Sequence, residues 1–361
     1  MNTTVSQYFF QEKIRSLFIN FIIFITFITV IASPSLAQEI GKTIYAEGVV
    51  REVLQDKVRV EVVDTSLRGR VLETKSLANQ SGQKSVFHVG DKVTLSYGTD
   101  ARGNEVTYII GFVRTGQLLL LFFVFVVLVF IIGRWQGALS LVGMILSVVV
   151  ISRFIVPQIL LGSDPVVVAL LGSLIIIPLT FYVSHGLNNK TTIAVIGTFL
   201  ALILTGLIAY LFVFITKLTG FAAEEATYVQ FLKPGTNIQS LLLAGIIIGT
   251  LGILDDITIS QTGIVEKLKE ANTKFTKKEL YFHAMDLGRD HIASLVNTLI
   301  LVYAGASLPL FILFYNSGLS YSFAISQEMI ATEIVRTLVS SIGIITAVPI
   351  TTLLAVYLIK K

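Results

Sequence analysis

Residues 241–261 read LLLAGIIIGTLGILDDITISQ and place two adjacent carboxylates, Asp255 and Asp256, at the end of an apolar segment. The apolar part covers only about 14 residues, whereas a helix that crosses a membrane needs about 17 to 25. Either the helix continues through both aspartates or the bilayer thins at this point. Both alternatives place at least one acid near hydrocarbon, where an unpaired charge costs on the order of 2.5–3.5 kcal/mol. We therefore expect these acids to have a partner or a function.

The composition predicts a polytopic membrane protein. Of 361 residues, 54% are hydrophobic and 14% are charged, and the mean hydropathy is +0.80; about a quarter of the residues of a soluble protein are charged. The chain has no cysteine, which excludes disulfides, cysteine-ligated zinc, iron–sulfur clusters and thiol nucleophiles. No basic run interleaved with aromatic residues accompanies the net charge of +4. We expect no nucleic-acid partner and no cofactor.

The N-terminus has the pattern of a secretory signal peptide. Lys13 and Arg15 precede an apolar run over residues 17–32, and small residues occupy the −3 and −1 positions of a cleavage site after Ala37. This pattern predicts a signal peptide over residues 1–37. Because the apolar run is long, an uncleaved N-terminal anchor is the alternative. In both cases the residues that follow lie outside the cytoplasm.

Residues 38–115 alternate apolar and polar side chains, as half-buried strands do. The pattern predicts five short strands, at residues 45–53, 57–63, 69–73, 91–97 and 105–112. Five short strands in about 70 residues are typical of a small β-barrel that resembles an OB-fold. That fold hosts many unrelated functions. We expect an extracytoplasmic domain that is a spacer or a docking platform for a protein partner, with ligand binding as a further alternative.

Residues 116–361 contain seven apolar segments. They are residues 117–133, 137–160, 165–184, 192–216, 238–256, 292–314 and 339–359. With the β domain outside, most lysines and arginines of the connections fall on the inner side, as the positive-inside rule requires. The sequence therefore predicts a mainly α-helical integral membrane protein with seven transmembrane helices in the lipid bilayer and a cytoplasmic C-terminus.

The neighbours of the aspartate pair indicate its chemistry. On a helix, Asp255 shares a face with Thr258, and Asp256 shares one with Ser260. Carboxylates and hydroxyls are hard oxygen ligands, which suit a proton or a small cation such as Na⁺, Mg²⁺ or Ca²⁺. The alternative is that the helix ends here and that water solvates both acids at the cytoplasmic surface.

A second polar cluster leads into the sixth apolar segment. Asp286, Asp290 and Asn297 follow one face of a predicted helix and are further ion-binding candidates. Arg289 and His291 are candidates for pairing with the aspartates of the fifth segment, because both clusters lie at the predicted inner side. The alternative is that Asp290 is only a helix N-cap.

One pattern, G-x₅-P-x-T, occurs twice, at residues 172–180 and at residues 343–351. Transporters often contain repeats whose helices are interrupted at corresponding places. Pro178 and Pro349 are therefore hinge candidates. A chance similarity between two apolar segments is the alternative to a true repeat.

Several motifs resemble those of the YibE/F-like bacterial membrane proteins. They are GTLGILDDITISQ at residues 249–261, GRDHI at 288–292, VNTL at 296–299, GASLP at 305–309 and AVPITT at 347–352. The resemblance extends from about Ile44 to the C-terminus. It implies a hydrophobic, multi-spanning protein of the bacterial plasma membrane without an established substrate or reaction, and it supplies no functional residues.

The sequence favours a permease-like protein, because ionisable groups within a membrane commonly mark ion pathways. A non-transporting platform, in which the β domain binds a partner and the spans anchor it, is the alternative. A membrane-embedded enzyme fits less well, because adjacent acids on one helix do not face each other across a substrate. The chain also lacks a nucleophile elbow, a His-Glu-x-x-His motif and a P-loop.

Overall fold

The computed structural model of the chain describes residues 44–54, 57–64, 67–75, 87–99, 104–316 and 318–359. The predicted signal peptide or anchor over residues 1–37 lies outside these ranges. Packing contacts divide the chain into two compact units, with the boundary between Ile132 and Gly133.

The first unit contains a five-stranded antiparallel sheet with one parallel pairing. Its strands are β1 (Ile44–Val53), β2 (Lys57–Val62), β3 (Val71–Lys75), β4 (Lys92–Thr99) and β5 (Glu105–Phe112). The strand order is β1-β2-β3-β5-β4, and β4 pairs back to β1, which closes the sheet into a barrel. The parallel pairing joins β3 to β5 through Lys75 and Tyr108. Alternation in the sequence therefore located all five strands to within a few residues.

The barrel separates an apolar core from a charged outer face. The three valines of β2 are buried and pack with Val50 of β1 and Leu95 of β4. On the outer face, Arg59 donates a hydrogen bond to Glu73 of β3 at 2.9 Å, and Lys57 donates another at 3.2 Å. These bonds from Arg59 and Lys57 lower the pKa of the Glu73 carboxyl below its ordinary value of 4.5.

The rest of the described chain is helical. The helices are α1 (Thr115–Leu160), α2 (Pro165–His185), α3 (Asn189–Ile215), α4 (Glu224–Leu232), α5 (Ile238–Ala271), α6 (Lys277–Ala306), α7 (Leu308–Asn316), α8 (Tyr321–Ser326) and α9 (Glu328–Leu358). Five of them (α1, α2, α3, α5 and α9) are long and apolar enough to cross a membrane. The bent pair of α6 and α7 raises the number among the described residues to six. The protein is therefore a multi-pass membrane protein.

Three predicted segments differ from the structure. Residues 117–133 and 137–160 lie within one 46-residue element, α1, which is interrupted where Arg134 adopts the non-helical angles φ 50° and ψ −138°. The predicted segment 292–314 is not one straight helix, because the axis bends by 63° between α6 and α7. Pro309 at the start of α7 explains the bend, since proline has no N–H to donate to the preceding turn and clashes with its carbonyl.

The helical core lies where α3, α5 and α9 pack against one another, with α2 and α6 packed beside α5. Small residues allow this close approach. Gly343 of α9 lies against Thr205 of α3, so closely that a Cβ atom on the glycine would be 2.6 Å from the threonine Oγ1. Interhelical hydroxyl pairs add to the packing, as is common between membrane helices. Thr250 of α5 and Ser340 of α9, for example, are joined at 2.8 Å.

Candidate functional site

Helix α5 carries both aspartates without a break. It begins at Ile238 and ends at Ala271, fifteen residues beyond Asp256. Asp255 and Asp256 are the only charged side chains between Ile238 and Val265. The expectation that the helix continues through both acids is therefore correct. The alternative in which the helix ends at the aspartates is wrong.

The carboxylate of Asp255 faces α2 and is poorly compensated. Its Oδ2 lies 3.4 Å from Thr180 Oγ1, which is long for a hydrogen bond between oxygens. The same hydroxyl lies 2.9 Å from the carbonyl oxygen of Ile176 and 3.1 Å from that of Ile177. A hydroxyl has one hydrogen to donate, so it cannot satisfy all three acceptors. Asp255 Oδ1 is buried and has no hydrogen-bond partner among the described residues.

Asp256 is exposed on the surface of the helical unit. Two histidines lie within electrostatic range of its carboxylate, His185 at the end of α2 and His291 on α6. Of the two predicted pairing candidates, His291 is therefore close to the aspartate pair. The sequence reasoning missed His185, although it follows directly on the third apolar segment at the same predicted inner side.

The two hydroxyls expected beside the aspartates have other neighbours. Thr258 Oγ1 lies 2.6 Å from Thr198 Oγ1, which places it in the contact between α5 and α3. It also lies 2.9 Å from the carbonyl oxygen of Leu254 on its own helix. Ser260 is half-buried and lines a groove between α5 and α6. Among the described residues, neither hydroxyl forms a hydrogen bond with the aspartate carboxylates.

The second polar cluster lies on α6 and faces outward. Asp286, Asp290 and Asn297 are exposed. Arg289 pairs with Asp286 of its own helix at 2.5 Å rather than with the aspartates of α5. The structure therefore brings His291 near the aspartate pair, and it pairs Arg289 with Asp286 instead.

Asp290 does not cap a helix. α6 begins at Lys277, where Thr276 and Glu279 form a capping box, so Asp290 lies in the helix interior. The capping alternative is wrong because the polar residues before the apolar segment belong to the same helix. This helix packs against α5 and α9, and such packing stabilises helical turns that local apolar content does not reveal.

The hinge candidates Pro178 and Pro349 lie inside α2 and α9, and both helices continue through them. The threonine two residues after each proline has a different environment. Thr180 contacts Asp255, whereas Thr351 is buried against Gly197 of α3. The repeated pattern therefore contains Thr180 without indicating its contact with Asp255.

Comparison with known families places this geometry in context. The family model described as "YibE/F-like protein" matches residues 121–361. The chain belongs to the YibE/F-like family. The match to the YibE/F-like model includes α5 and the aspartate pair but begins after β5, so it does not reach the expected start near Ile44. No curated protein and no solved structure matches the chain.

Proposed function

We propose that this YibE/F-like protein is permease-like and that Asp255 binds a proton or a small cation during transport. The observation that carries the proposal is the Asp255 carboxylate, which has one buried oxygen without a partner among the described residues and one long contact to Thr180. A buried charge without adequate partners is destabilising. Binding a positively charged ion at this position would remove that penalty.

The depth of Asp255 supports an intramembrane role. Asp255 lies 17 residues after Ile238, which is about 26 Å along the helix at 1.5 Å per residue. The hydrocarbon core of a bilayer is about 30 Å thick. If α5 enters the membrane at Ile238, the carboxylate lies within the hydrocarbon and towards its inner boundary.

We further propose seven spans, an OB-like β domain outside the bacterial plasma membrane and a cytoplasmic C-terminus. At 46 residues, α1 is about 69 Å long, more than twice the hydrocarbon thickness, and its break at Arg134 supports two crossings. The lysines at the end of α5, in the short connection and at the start of α6 would then lie inside, as the positive-inside rule requires.

A proton fits the site better than a divalent cation. Ca²⁺ takes six to eight oxygen ligands, and Mg²⁺ requires an octahedral set. Within the described structure, the contacts of the Asp255 side chain supply a single hydroxyl, that of Thr180. A protonated carboxyl group needs only one acceptor, and Thr180 Oγ1 can accept when its own hydrogen goes to Ile176 O. Asp256, with His185 and His291 nearby, would exchange protons with the inner side.

The test compares Asp255→Asn with the matched variant Asp286→Asn in a strain that lacks the protein. Asn keeps the size of the side chain but cannot carry the proton, so we expect Asp255→Asn to reproduce the metabolite and metal content of the null strain. Asp286→Asn changes an exposed aspartate on α6 and should behave as wild type. Protein abundance in the membrane is measured for both variants.

Two outcomes would contradict the proposal. Wild-type behaviour of Asp255→Asn would show that the carboxylate is not used, and loss of the protein from the membrane would indicate a structural role. A protonophore added to the wild-type strain should also reproduce the metabolite and metal content of the Asp255→Asn strain. If removal of external Na⁺ mimics it and the protonophore does not, the bound ion is sodium rather than a proton.

A further inference from the structure

A short segment after α3, the strap (residues 216–220), lies across the beginning of α5. Gly220 of the strap approaches α5 so closely that a Cβ atom on it would be 2.5 Å from the carbonyl oxygen of Ile238. Gln239 of α5 donates a hydrogen bond of 2.6 Å to the carbonyl oxygen of Leu218. The strap is therefore seated on the first two residues of α5.

The side chain of Leu218 fills an apolar cluster between three helices. It is 2% exposed and packs with Val213 of α3, Leu243 of α5, and Val335 and Val339 of α9. All three helices are long and apolar enough to cross a membrane. Because Leu218 belongs to none of them, only the strap keeps it in the cluster. The strap therefore inserts an apolar plug where α3, α5 and α9 meet.

One carboxylate of α9 holds the strap in place. Glu328, the first residue of α9, accepts hydrogen bonds from the backbone N–H groups of Thr219 at 2.7 Å and Gly220 at 2.8 Å. The Thr219 hydroxyl lies 2.8 and 2.9 Å from the two carboxylate oxygens. Hydrogen bonds to an ionised acceptor are about twice as strong as neutral ones. Glu328 thus ties α9 to a segment 109 residues earlier in the chain.

The backbone of the strap favours its release. Lys217 has a φ of 54°, in the left-handed region that residues other than glycine rarely adopt. Such a conformation persists only where surrounding contacts hold it. Loss of the bonds to Glu328 would therefore let the strap relax and withdraw Leu218 from the cluster.

We propose that the strap is a gate at the outer ends of the spans, with Leu218 as its plug and Glu328 as its latch. The inference rests on the proposed function, because an ion that binds Asp255 needs a route from the outer side. Asp255 lies 17 residues after Ile238, about 26 Å along α5, so the strap closes the end of the bundle that is far from the carboxylate. Release of Glu328 withdraws Leu218 and opens the cluster to the outer solution.

The first experiment measures opening by the reactivity of one cysteine. Because the chain has no cysteine, Val335→Cys introduces a single thiol at a position that is 7% exposed and packs with Leu218. A membrane-impermeant maleimide is added to intact cells. In this background, Glu328→Ala should raise the labelling rate about tenfold or more, the usual effect of losing a hydrogen bond to a charged group. Glu328→Gln should raise it less, because its amide oxygen still accepts.

The matched control is Glu224→Ala. Glu224 is an exposed acid and the first residue of α4, as Glu328 is the first residue of α9, so both variants lose the same interaction with a helix N-terminus. Glu224→Ala should label at the wild-type rate. Equal labelling of the two alanine variants would overturn the proposal. So would labelling of Glu328→Ala in inside-out vesicles only, which would place the strap at the inner side.

The second experiment locks the gate. In the double variant Thr219→Cys and Glu328→Cys, a short bifunctional thiol reagent that a reductant can cleave joins the strap to α9. The locked protein should reproduce the metabolite and metal content of the null strain, and function should return when the reductant releases the link. Full function of the locked protein would show that the strap is a static brace. That result would overturn the proposal even if Glu328→Ala failed to reach the membrane.

The labelling rate reports on the strap without any measurement of transport. If Glu328→Ala labels faster while Asp255→Asn behaves as wild type, the gate stands and the proposed role of Asp255 falls. If labelling is unchanged and Asp255→Asn reproduces the null strain, the gate falls and the proposed function stands.

Discussion

Replacing Gly288 with alanine tests the packing that positions α6 beside the aspartate pair. A Cβ atom on Gly288 would lie 2.6 Å from Val348 Cγ1 and 3.1 Å from both Nε2 and Oε1 of Gln261. Val348 and Gln261 are fully buried, so neither can move away freely. Overpacking of this kind typically costs about 1–3 kcal/mol.

The matched variant is Gly245→Ala on α5, where the added methyl group meets nothing within 4 Å in the described part of the chain. Both substitutions gain the same helix propensity, up to about 1 kcal/mol. The difference between the two variants therefore isolates the packing cost, and we expect Gly288→Ala to be less stable than Gly245→Ala by about 1–3 kcal/mol.

The assay is the free energy of unfolding of the full-length protein in mixed micelles with increasing sodium dodecyl sulfate. Gly288→Ala should also impair the proposed transport, because His291 lies about one turn further on the same helix and depends on the position of α6. Equal stabilities of the two variants would refute the close packing of α6 on α5 and α9.

Three further predictions concern the site and the β domain. Thr180→Val should reduce function without reducing abundance, because it removes the hydroxyl that contacts Asp255; unchanged function would exclude a role for that contact. Because the pKa of Glu73 is lowered by Arg59, the stability that Glu73 contributes is present above pH 4.5 and is lost as the pH falls through the lowered value. Glu73→Gln should remove that acid dependence in a denaturation series. Residues 38–115 on a foreign membrane anchor should not restore the phenotype of a null strain, and restoration would favour the platform alternative.

The sequence predicted those strands and helices whose pattern of apolar residues lies within the element itself. Alternation located the strands because one face of each strand is buried in the barrel, as the three valines of β2 show. Apolar content located α2, α3, α5 and α9 because lipid and protein contacts both favour apolar side chains. The beginning of α6 at Lys277 was not predictable in this way, because its first turns are polar and are held by packing against other helices.

Local sequence patterns also could not predict contacts between residues that are far apart in the chain. Neighbours along α5 suggested Thr258 as the partner of Asp255, yet the contact comes from Thr180, 75 residues earlier in the chain. Thr258 instead pairs with Thr198 of α3. Residue spacing gives the face of a helix, and the packing of the bundle decides which helix that face meets.

The contacts of α5 indicate which helix can move in the proposed transport. Thr250 and Thr258 join α5 to α9 and α3 at 2.8 and 2.6 Å, whereas the polar contact with α2 is the 3.4 Å approach of Thr180. Because the chain has no cysteine, a disulfide between Thr198→Cys and Thr258→Cys can be introduced without side reactions. We expect this cross-link to leave function intact, since α3 and α5 would move together while α2 moves. Loss of function that a reductant reverses would show instead that the α3–α5 contact must open.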